Sequence, residues 1–196
     1  MLNEQNLFLI FLSAFLVNNI LLIKFLGLCS FFGISSDIKA SVGMGLAVIF
    51  VMVMACSVSW VVYHYILAPF HLEFLRTLTF ILTIASLVQF EEIFIRKKAP
   101  ALYKSLGIYL PLITTNCAIL GVAFLGIDYK LTFIQNLLYS FGASCGYCLS
   151  ILLFAGIREK LSTAPIPENL KGIPIAFITA SLMSLAFLGF KGLFKL

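Results

Sequence analysis

Charged side chains are scarce in this sequence. Only 11% of its 196 residues are Asp, Glu, Lys or Arg, while 62% are hydrophobic and the mean hydropathy is +1.10. A water-soluble globular domain has about a quarter of charged residues. The shortage of charge excludes that class and predicts a chain embedded in a lipid bilayer.

Other absences narrow the class further. No basic run is interleaved with aromatic residues, so no nucleic-acid partner is expected. The first apolar run lacks a basic leader and a small-residue cleavage site, so we expect a permanent helix there and not a cleaved signal peptide. No linker or low-complexity tract is present, and the longest polar connection, 158–172, contains two prolines and is typical of a loop. A single transmembrane domain over 1–196 is predicted.

Six apolar segments approach or exceed the length of about 20 residues that crosses a hydrocarbon layer of about 30 Å. They cover 7–26, 40–62, 75–90, 106–125, 131–154 and 173–190. The third is the shortest, and we expect it to extend through Glu91 and Glu92 to an end in water. The predicted fold class is an all-α integral membrane protein with six transmembrane helices.

The distribution of Lys and Arg between the connections predicts the orientation. With the N-terminus outside, nine basic residues lie on the cytoplasmic side and four on the other. The cytoplasmic set is Lys24, Lys39, Arg96, Lys97, Lys98, Lys104, Arg158, Lys160 and Lys171, and the external set is Arg76, Lys130, Lys191 and Lys195. Because basic residues are retained in the cytoplasm, both termini are expected to be external.

The chain also repeats itself. A Cys-x-x-x-Gly element occurs near the end of the first and the fourth segments, as Cys29 with Gly33 and Cys117 with Gly121, and residues 80–87 resemble 177–182. Two units of three helices, about 1–98 and 99–196, are implied. Since three is odd, the second unit enters the membrane from the opposite side, which is an inverted repeat. Both cysteines are then expected near the middle of the bilayer, where helices are interrupted.

The depth of these thiols excludes an extracellular disulfide, and thiolates are ligands for iron and for iron–sulfur clusters, which usually take four. One chain supplies two. A buried anionic cluster needs compensating dipoles, which the N-termini of interrupted helices provide. Three glycines, Gly27, Gly33 and Gly121, are expected to allow close backbone approach. Pro111, Thr114, Thr115 and Asn116 are expected to loosen the fourth segment and satisfy its freed backbone.

Other polar and sulfur side chains have plainer interpretations. Cys56 is expected in the core, and Cys145 with Cys148, among small residues, is expected to serve close packing. His64 and His71 are expected on the surface of an external loop. Five costly polar residues should face protein or water, and an ion path or simple hydrogen bonding explains them equally well; they are Asn18, Asn19, Gln89, Glu91 and Glu92.

Two alternatives to a metal or redox site stay open on these grounds. The interrupted helices suit a transporter of ions or small molecules that binds substrate at the midplane without redox chemistry. A purely structural membrane scaffold, in which a lone intramembrane Cys fills a gap, predicts that serine is tolerated at Cys29 and Cys117.

Four motifs resemble those of the RnfA family, membrane subunits of the Rnf ion-translocating electron transport complex. They are VNNILLIKFLGLC at 17–29, LGIYLPLITTNCA at 106–118, IRE at 157–159 and ITASLMSLAF at 178–187. A sister family, NqrE of the sodium-pumping NADH:quinone reductase, shares parts of the second motif, while the first favours Rnf. The sequence departs from the family pattern at Ser30, where proline is usual, and at Cys145 and Cys148.

This resemblance implies a function. RnfA pairs with a homologous membrane subunit, RnfE, of opposite topology, and each offers two cysteines to one [2Fe-2S] cluster, here Cys29 and Cys117. The other Rnf subunits (B, C, D and G) carry iron–sulfur and flavin centres. The chain would lie in the bacterial inner membrane with both termini periplasmic. It would act as a subunit, not catalytic alone, of an oxidoreductase that moves Na⁺ or H⁺.

Overall fold

The computed structural model describes residues 7–35, 37–70, 73–98, 112–113, 115–165, 167 and 170–194, and most of these residues are helical, with no strand among them. Helix α1 (Leu7–Leu12) continues as a π-helical turn, Ser13–Val17, and α2 covers Leu28–Ile34. Helix α3 (Ile38–Val62) continues through a π-helical turn, Tyr63–Leu67, and a short helical turn, Ala68–Phe70. A 3-10 turn, Glu73–Leu75, precedes α4 (Arg76–Lys98). The remaining helices are α5 (Cys117–Asp128), α6 (Phe133–Ser162) and α7 (Ile173–Phe194). The predicted all-α class is confirmed for these residues.

Two of the described helices are long and apolar enough to cross a membrane by length and composition. They are Ile38–Leu67 and Phe133–Ser162, each 30 residues long. Large apolar side chains also lie on the outside of shorter helices, where Leu78 and Leu82 of α4 are 65% and 70% exposed. Such apolar outer surface suits contact with lipid tails.

Helix α6 is the centre of the fold and packs most extensively against α3 and α1. Small residues allow this approach. A Cβ atom at Gly142 or Gly146 would come within 2.8 and 2.6 Å of the carbonyl oxygens of Phe11 and Phe15. Across the other interface, a Cβ atom at Gly45 would lie 2.5 Å from Cys148 Sγ. The prediction that this part of α6 serves close packing is confirmed, since small residues set the distance between membrane helices.

The first predicted span is wrong at its C-terminal end. The helix stops at Val17, residues 18–27 form compact turns, and α2 begins at Leu28. The fourth span is also interrupted, because Leu112 and Ile113 are helical, Thr115 and Asn116 are not, and α5 begins at Cys117. Pro111 and Thr114 lie outside the described residues.

The two ends of α3 mark the two faces of the molecule. At one face, Arg76 forms a 2.7 Å ion pair with Asp128, and Trp60 Nε1 donates to the Leu131 carbonyl at 3.0 Å. At the other, Arg158 donates to Ser35 Oγ at 2.8 Å. These contacts place the start of α4, the end of α5 and the start of α6 near the C-terminal end of α3, and the end of α6 near its N-terminal end. The count of basic residues needs one correction. Lys24 was counted in a connection between spans, but it lies in the break between α1 and α2.

His64 does not lie in a loop as predicted. It belongs to the π-helical turn that extends α3, where it stacks on Trp60 with ring centroids 5.0 Å apart. Its side chain is exposed, so the expected surface position is correct. His71 lies outside the described residues.

Candidate functional site

Both candidate ligands lie in the first turn of a helix that follows a break. Gly27 precedes α2 in a left-handed conformation, with φ of 87°, so Cys29 is the second residue of that helix. Cys117 is the first residue of α5, and the Asn116 side chain caps this helix by accepting a 3.0 Å hydrogen bond from the Ala118 N–H. Asn116, predicted as a site residue, thus has a local structural role next to the thiol.

The two breaks touch each other. The backbone N–H of Gly27 donates to Cys117 Sγ at 2.9 Å. A Cβ atom at Gly27 would lie 3.1 Å from both Asn116 Oδ1 and Ala118 Cβ, and 3.2 Å from Tyr147 Cε2. Gly27 is therefore needed for its positive φ and for space. The structure brings the two cysteine-bearing segments together, although they are far apart in sequence.

The other two predicted glycines differ from each other. A Cβ atom at Gly121 would lie 3.1 Å from Leu26 Cδ1, so this glycine lets α5 pack closely against the first break. Gly33 makes no such approach within the described part of the chain, where a Cβ atom would meet Leu112 Cδ2 at an ordinary 3.8 Å. The predicted close approach of the Gly33 backbone to a bound group stays a prediction. Gly33 lies one turn after Cys29 on the exposed side of α2.

The thiols reach the outer surface of the chain. Cys29 is exposed and Cys117 is partly exposed. A cavity of about 320 Å³ opens beside Cys117 between α4 and α5. Its lining is mostly apolar, from Ile81, Ile84, Ala85 and Leu120, with Thr115, Asn116 and Cys117 as its polar side.

Sequence reasoning missed the support that α6 gives to α2. Tyr147 Oη lies 2.6 Å from Ser30 Oγ, and the Phe154 ring stacks on Phe31 at 4.1 Å. Arg158 donates to the Phe32 carbonyl at 3.0 Å as well as to Ser35. The spacing of 147, 154 and 158 follows one helical face, so a tyrosine and an arginine on that face of an apolar helix were the available signal.

Asn19 makes the hydrogen bonds that hold the first break against α6. Its amide nitrogen donates to the Gly146 carbonyl at 2.9 Å and to Ser150 Oγ at 2.8 Å, and its amide oxygen accepts from the N–H groups of Leu21 and Leu22. The prediction that Asn19 faces protein is confirmed, and its contacts are those of interhelical hydrogen bonding. Asn18 donates to Ser13 Oγ at 3.2 Å.

The acidic and amide residues of α4 differ in exposure. Glu91 is only 7% exposed, and its Oε2 has no hydrogen-bond partner among the described residues. Glu92 is half-buried and Gln89 is exposed on the surface of the chain. The expectation that these side chains face protein or water is confirmed for Glu91.

The remaining cysteines do not join the site. Cys56 is buried in the core, as predicted, and Cys148 packs against Gly45. Within the described part of the chain, no three or more His, Cys, Asp or Glu side chains are grouped closely enough to hold a metal ion. This part of the chain alone offers the pair Cys29 and Cys117, not a complete ligand set.

Comparison with known proteins assigns the chain to a family. The model of the family described as Rnf-Nqr subunit, membrane protein, matches residues 7–194. The chain is similar to the A component of the ion-translocating oxidoreductase complex of Syntrophotalea carbinolica, at 52% identity over 96% of this chain and 98% of that one. It is also similar to the proteins of the same name from Aeromonas salmonicida, at 54% identity over 96% and 97%, and Aromatoleum aromaticum, at 55% over 94% and 96%. The resemblance based on the four motifs is confirmed, and the chain belongs to the Rnf-Nqr subunit family of membrane proteins.

Proposed function

We propose that this chain is a membrane subunit of an ion-translocating oxidoreductase complex, and that Cys29 and Cys117 supply two of the four ligands of a [2Fe-2S] cluster shared with a homologous subunit. The observation that carries the proposal is the meeting of the two breaks, in which Gly27 N–H contacts Cys117 Sγ at 2.9 Å while Cys29 is exposed beside it.

The residues fit such a group. Two thiols are half of the usual ligand set of a two-iron cluster. The amide nitrogen of Asn116 is buried with no hydrogen-bond partner among the described residues by distance and angle, and this side chain also interacts with Tyr147. Cys117 is the first residue of α5, so a thiolate there lies at the positive end of the helix dipole. When bound, a [2Fe-2S] cluster takes up and passes on one electron.

The chain's own residues would bind and orient this group and limit its contact with water. Gly27 holds a donor against the Cys117 sulfur, and Asn116 fixes the first turn of α5. Leu26 packs against Gly121 and covers the inner side of the site. An apolar surround of this kind limits access of water, which together with hydrogen bonds to sulfur sets the reduction potential of a cluster.

A partner would complete the ligand set, because only two of the five cysteines among the described residues lie at this site and Cys29 is exposed on the surface of the chain. An inverted repeat of two three-helix units, with six spans in total, would let the homologous RnfE, inserted with opposite topology, present a matching face. The B, C, D and G components of the complex would carry the further iron–sulfur and flavin centres. Translocation of Na⁺ or H⁺ would then depend on changes of access around the site.

A redox role is better supported than a non-redox transporter, the other function that the interrupted helices allow. The curated relatives are named as oxidoreductase subunits at 52 to 55% identity over nearly their whole length. We assign the chain to the inner membrane with both termini periplasmic, since more basic residues lie on the connections at the Arg158 face.

Substitution of the ligands tests this proposal. Cys29→Ser and Cys117→Ser in the co-expressed complex should each abolish the intramembrane cluster signal in electron paramagnetic resonance and stop electron transfer, because serine does not replace a thiolate in a dry site. Cys56→Ala and Cys148→Ala are matched controls and should retain the signal. Loss of the signal in Cys145→Ala or Cys148→Ala, with Cys29 dispensable, would reject the assignment.

Expression without the partner tests the shared site. The chain alone should insert in the membrane but purify without stoichiometric iron, and co-expression of the homologous partner should restore the cluster. A full iron complement in the isolated chain would contradict sharing and would make Cys145 and Cys148 the leading additional ligands.

A further inference from the structure

We propose that Tyr147 and Ser30 form a hydroxyl relay that holds Gly27 in place, so that the Gly27 N–H donates to the sulfur of Cys117 and raises the reduction potential of the bound cluster. This inference rests on the proposed function, since it concerns the same site. Tyr147 and Ser30 are positioning residues here because they act through Gly27.

The direction of the relay follows from counting protons. Ser30 Oγ lies 2.9 Å from the Gly27 carbonyl oxygen and 2.6 Å from Tyr147 Oη. A serine hydroxyl has one proton. If Ser30 donates that proton to the carbonyl of Gly27, its lone pair accepts the proton of Tyr147, and both contacts are satisfied. The chain of bonds then runs from Tyr147 through Ser30 to the Gly27 carbonyl.

Burial of both hydroxyl groups favours a single arrangement of the relay. Tyr147 and Ser30 are both 0% exposed, so bulk water does not compete for their hydroxyl groups. A buried hydroxyl without a partner is costly, which favours a single arrangement of the two side chains. The relay also joins residues 117 positions apart, from α2 and α6. It therefore ties the first break to the central helix of the fold.

Gly27 transmits the effect to the ligand. Its carbonyl is held by Ser30, and its N–H points to Cys117 Sγ at 2.9 Å. The left-handed φ of 87° directs these two groups, and glycine by itself does not restrict φ to that region. The Phe31 N–H also donates to the Gly27 carbonyl at 3.2 Å, and the relay adds a second restraint on Gly27. A hydrogen bond to a ligand sulfur stabilises the more negative, reduced form and so raises the potential.

The relay is a property of this chain and not of the family pattern. Proline is usual in the family at the position of Ser30, and proline has no hydroxyl to accept from Tyr147. We infer that chains with proline there set the position of the glycine in another way, through the fixed φ of the proline ring.

The test uses the complex co-expressed with its homologous partner. Tyr147→Phe and Ser30→Ala each remove a hydroxyl, and the midpoint potential of the cluster is measured by redox titration followed by electron paramagnetic resonance. Each variant should lower the potential, with the reduction equilibrium changed about tenfold, which is about 59 mV for one electron. The double variant should shift no further than either single one, since both remove the same relay.

Tyr139→Phe is the matched control, because Tyr139 is another tyrosine of α6 that is only 5% exposed, two turns from Tyr147. It should leave the potential unchanged, as should a merely structural loss of stability. An unchanged potential in both Tyr147→Phe and Ser30→Ala, or strictly additive shifts, would overturn the relay and leave the shared cluster standing. If Tyr147→Phe loses the cluster, the midpoint potential of Ser30→Ala alone tests the relay. Absence of any Cys29-dependent signal in the unsubstituted complex would reject the proposed function and the relay with it.

Discussion

Gly27 shows how much of the site depends on single residues. It has a positive φ, it fits against Asn116, Ala118 and Tyr147, and it donates to Cys117. Any side chain at this position meets two separate penalties, one from the backbone conformation and one from space.

Substitutions at two glycines separate these penalties. Gly27→Ala should lower the stability of the complex by the left-handed strain of about 1 to 2 kcal/mol and by a further amount for contacts near 3.1 Å. Gly172→Ala has a similar φ of 90° with nothing within 4 Å, so it should show the strain alone. Thermal unfolding of both variants in detergent measures the difference. Equal losses would contradict the tight fit around Gly27.

The sequence predicted Cys29, Cys117 and Asn116 because a thiol or an amide inside an apolar run is conspicuous by itself. It did not predict Tyr147, whose partner Ser30 lies 117 residues away, nor the hydrogen bonds from Asn19 to α6, which join residues 127 apart or more. These roles depend on tertiary contacts, and local pattern carries no information about them.

At the scale of elements, hydropathy located the long helices α3 and α6 but not the breaks in the first and fourth segments. Residues 20–23 are all apolar, so hydropathy over 7–26 does not mark the end of the helix at Val17, although Asn18 and Asn19 follow it directly. The break is stabilised by Asn19. Its amide oxygen accepts hydrogen bonds from the freed N–H groups of Leu21 and Leu22, and its amide nitrogen donates to a carbonyl of α6. Helices without an interior break, such as α3 and α6, were predicted to within two residues at their N-terminal ends; α3 ends at Val62 as predicted, before its π-helical turn, and α6 extends eight residues further.

The contact between α6 and α1 gives a prediction at this scale. Gly146→Ala places a methyl group 2.6 Å from the Phe15 carbonyl oxygen, and the helices must separate, which should cost about 1 to 3 kcal/mol. Gly156→Ala on the same helix meets nothing within 4 Å and should be neutral or stabilising by up to about 1 kcal/mol. Thermal midpoints of the two variants check this. A harmless Gly146→Ala would mean that α1 does not approach α6 so closely.

For the whole molecule, the predicted orientation rests on the count of basic residues. Removing Lys24 from the predicted connections leaves eight basic residues on the predicted cytoplasmic side against four on the other, so the expected orientation is unchanged. Ion pairing strengthens the difference, because Arg76 is paired with Asp128 at the face with fewer basic residues.

Reporter fusions test the orientation. A fusion within the connection 158–172 should be active in the cytoplasm, and a fusion after residue 196 should be active in the periplasm, because basic connections are retained inside. A fusion between 128 and 133 is the control for the second face and should behave like the C-terminal one. A cytoplasmic signal at the C-terminus would contradict the topology and the argument for a partner of opposite insertion.

The tie between Asn19 and α6 has a consequence for how the chain is made. Asn19 leaves the ribosome 127 residues before Gly146, an interval of roughly 6 to 25 s at a synthesis rate of about 5 to 20 residues per second. During that time the amide of Asn19 lacks its partners on α6. The first break therefore forms its hydrogen bonds to α6 only after most of the chain has been translated. Until then, its unpaired polar groups depend on the insertion machinery or on neighbouring proteins.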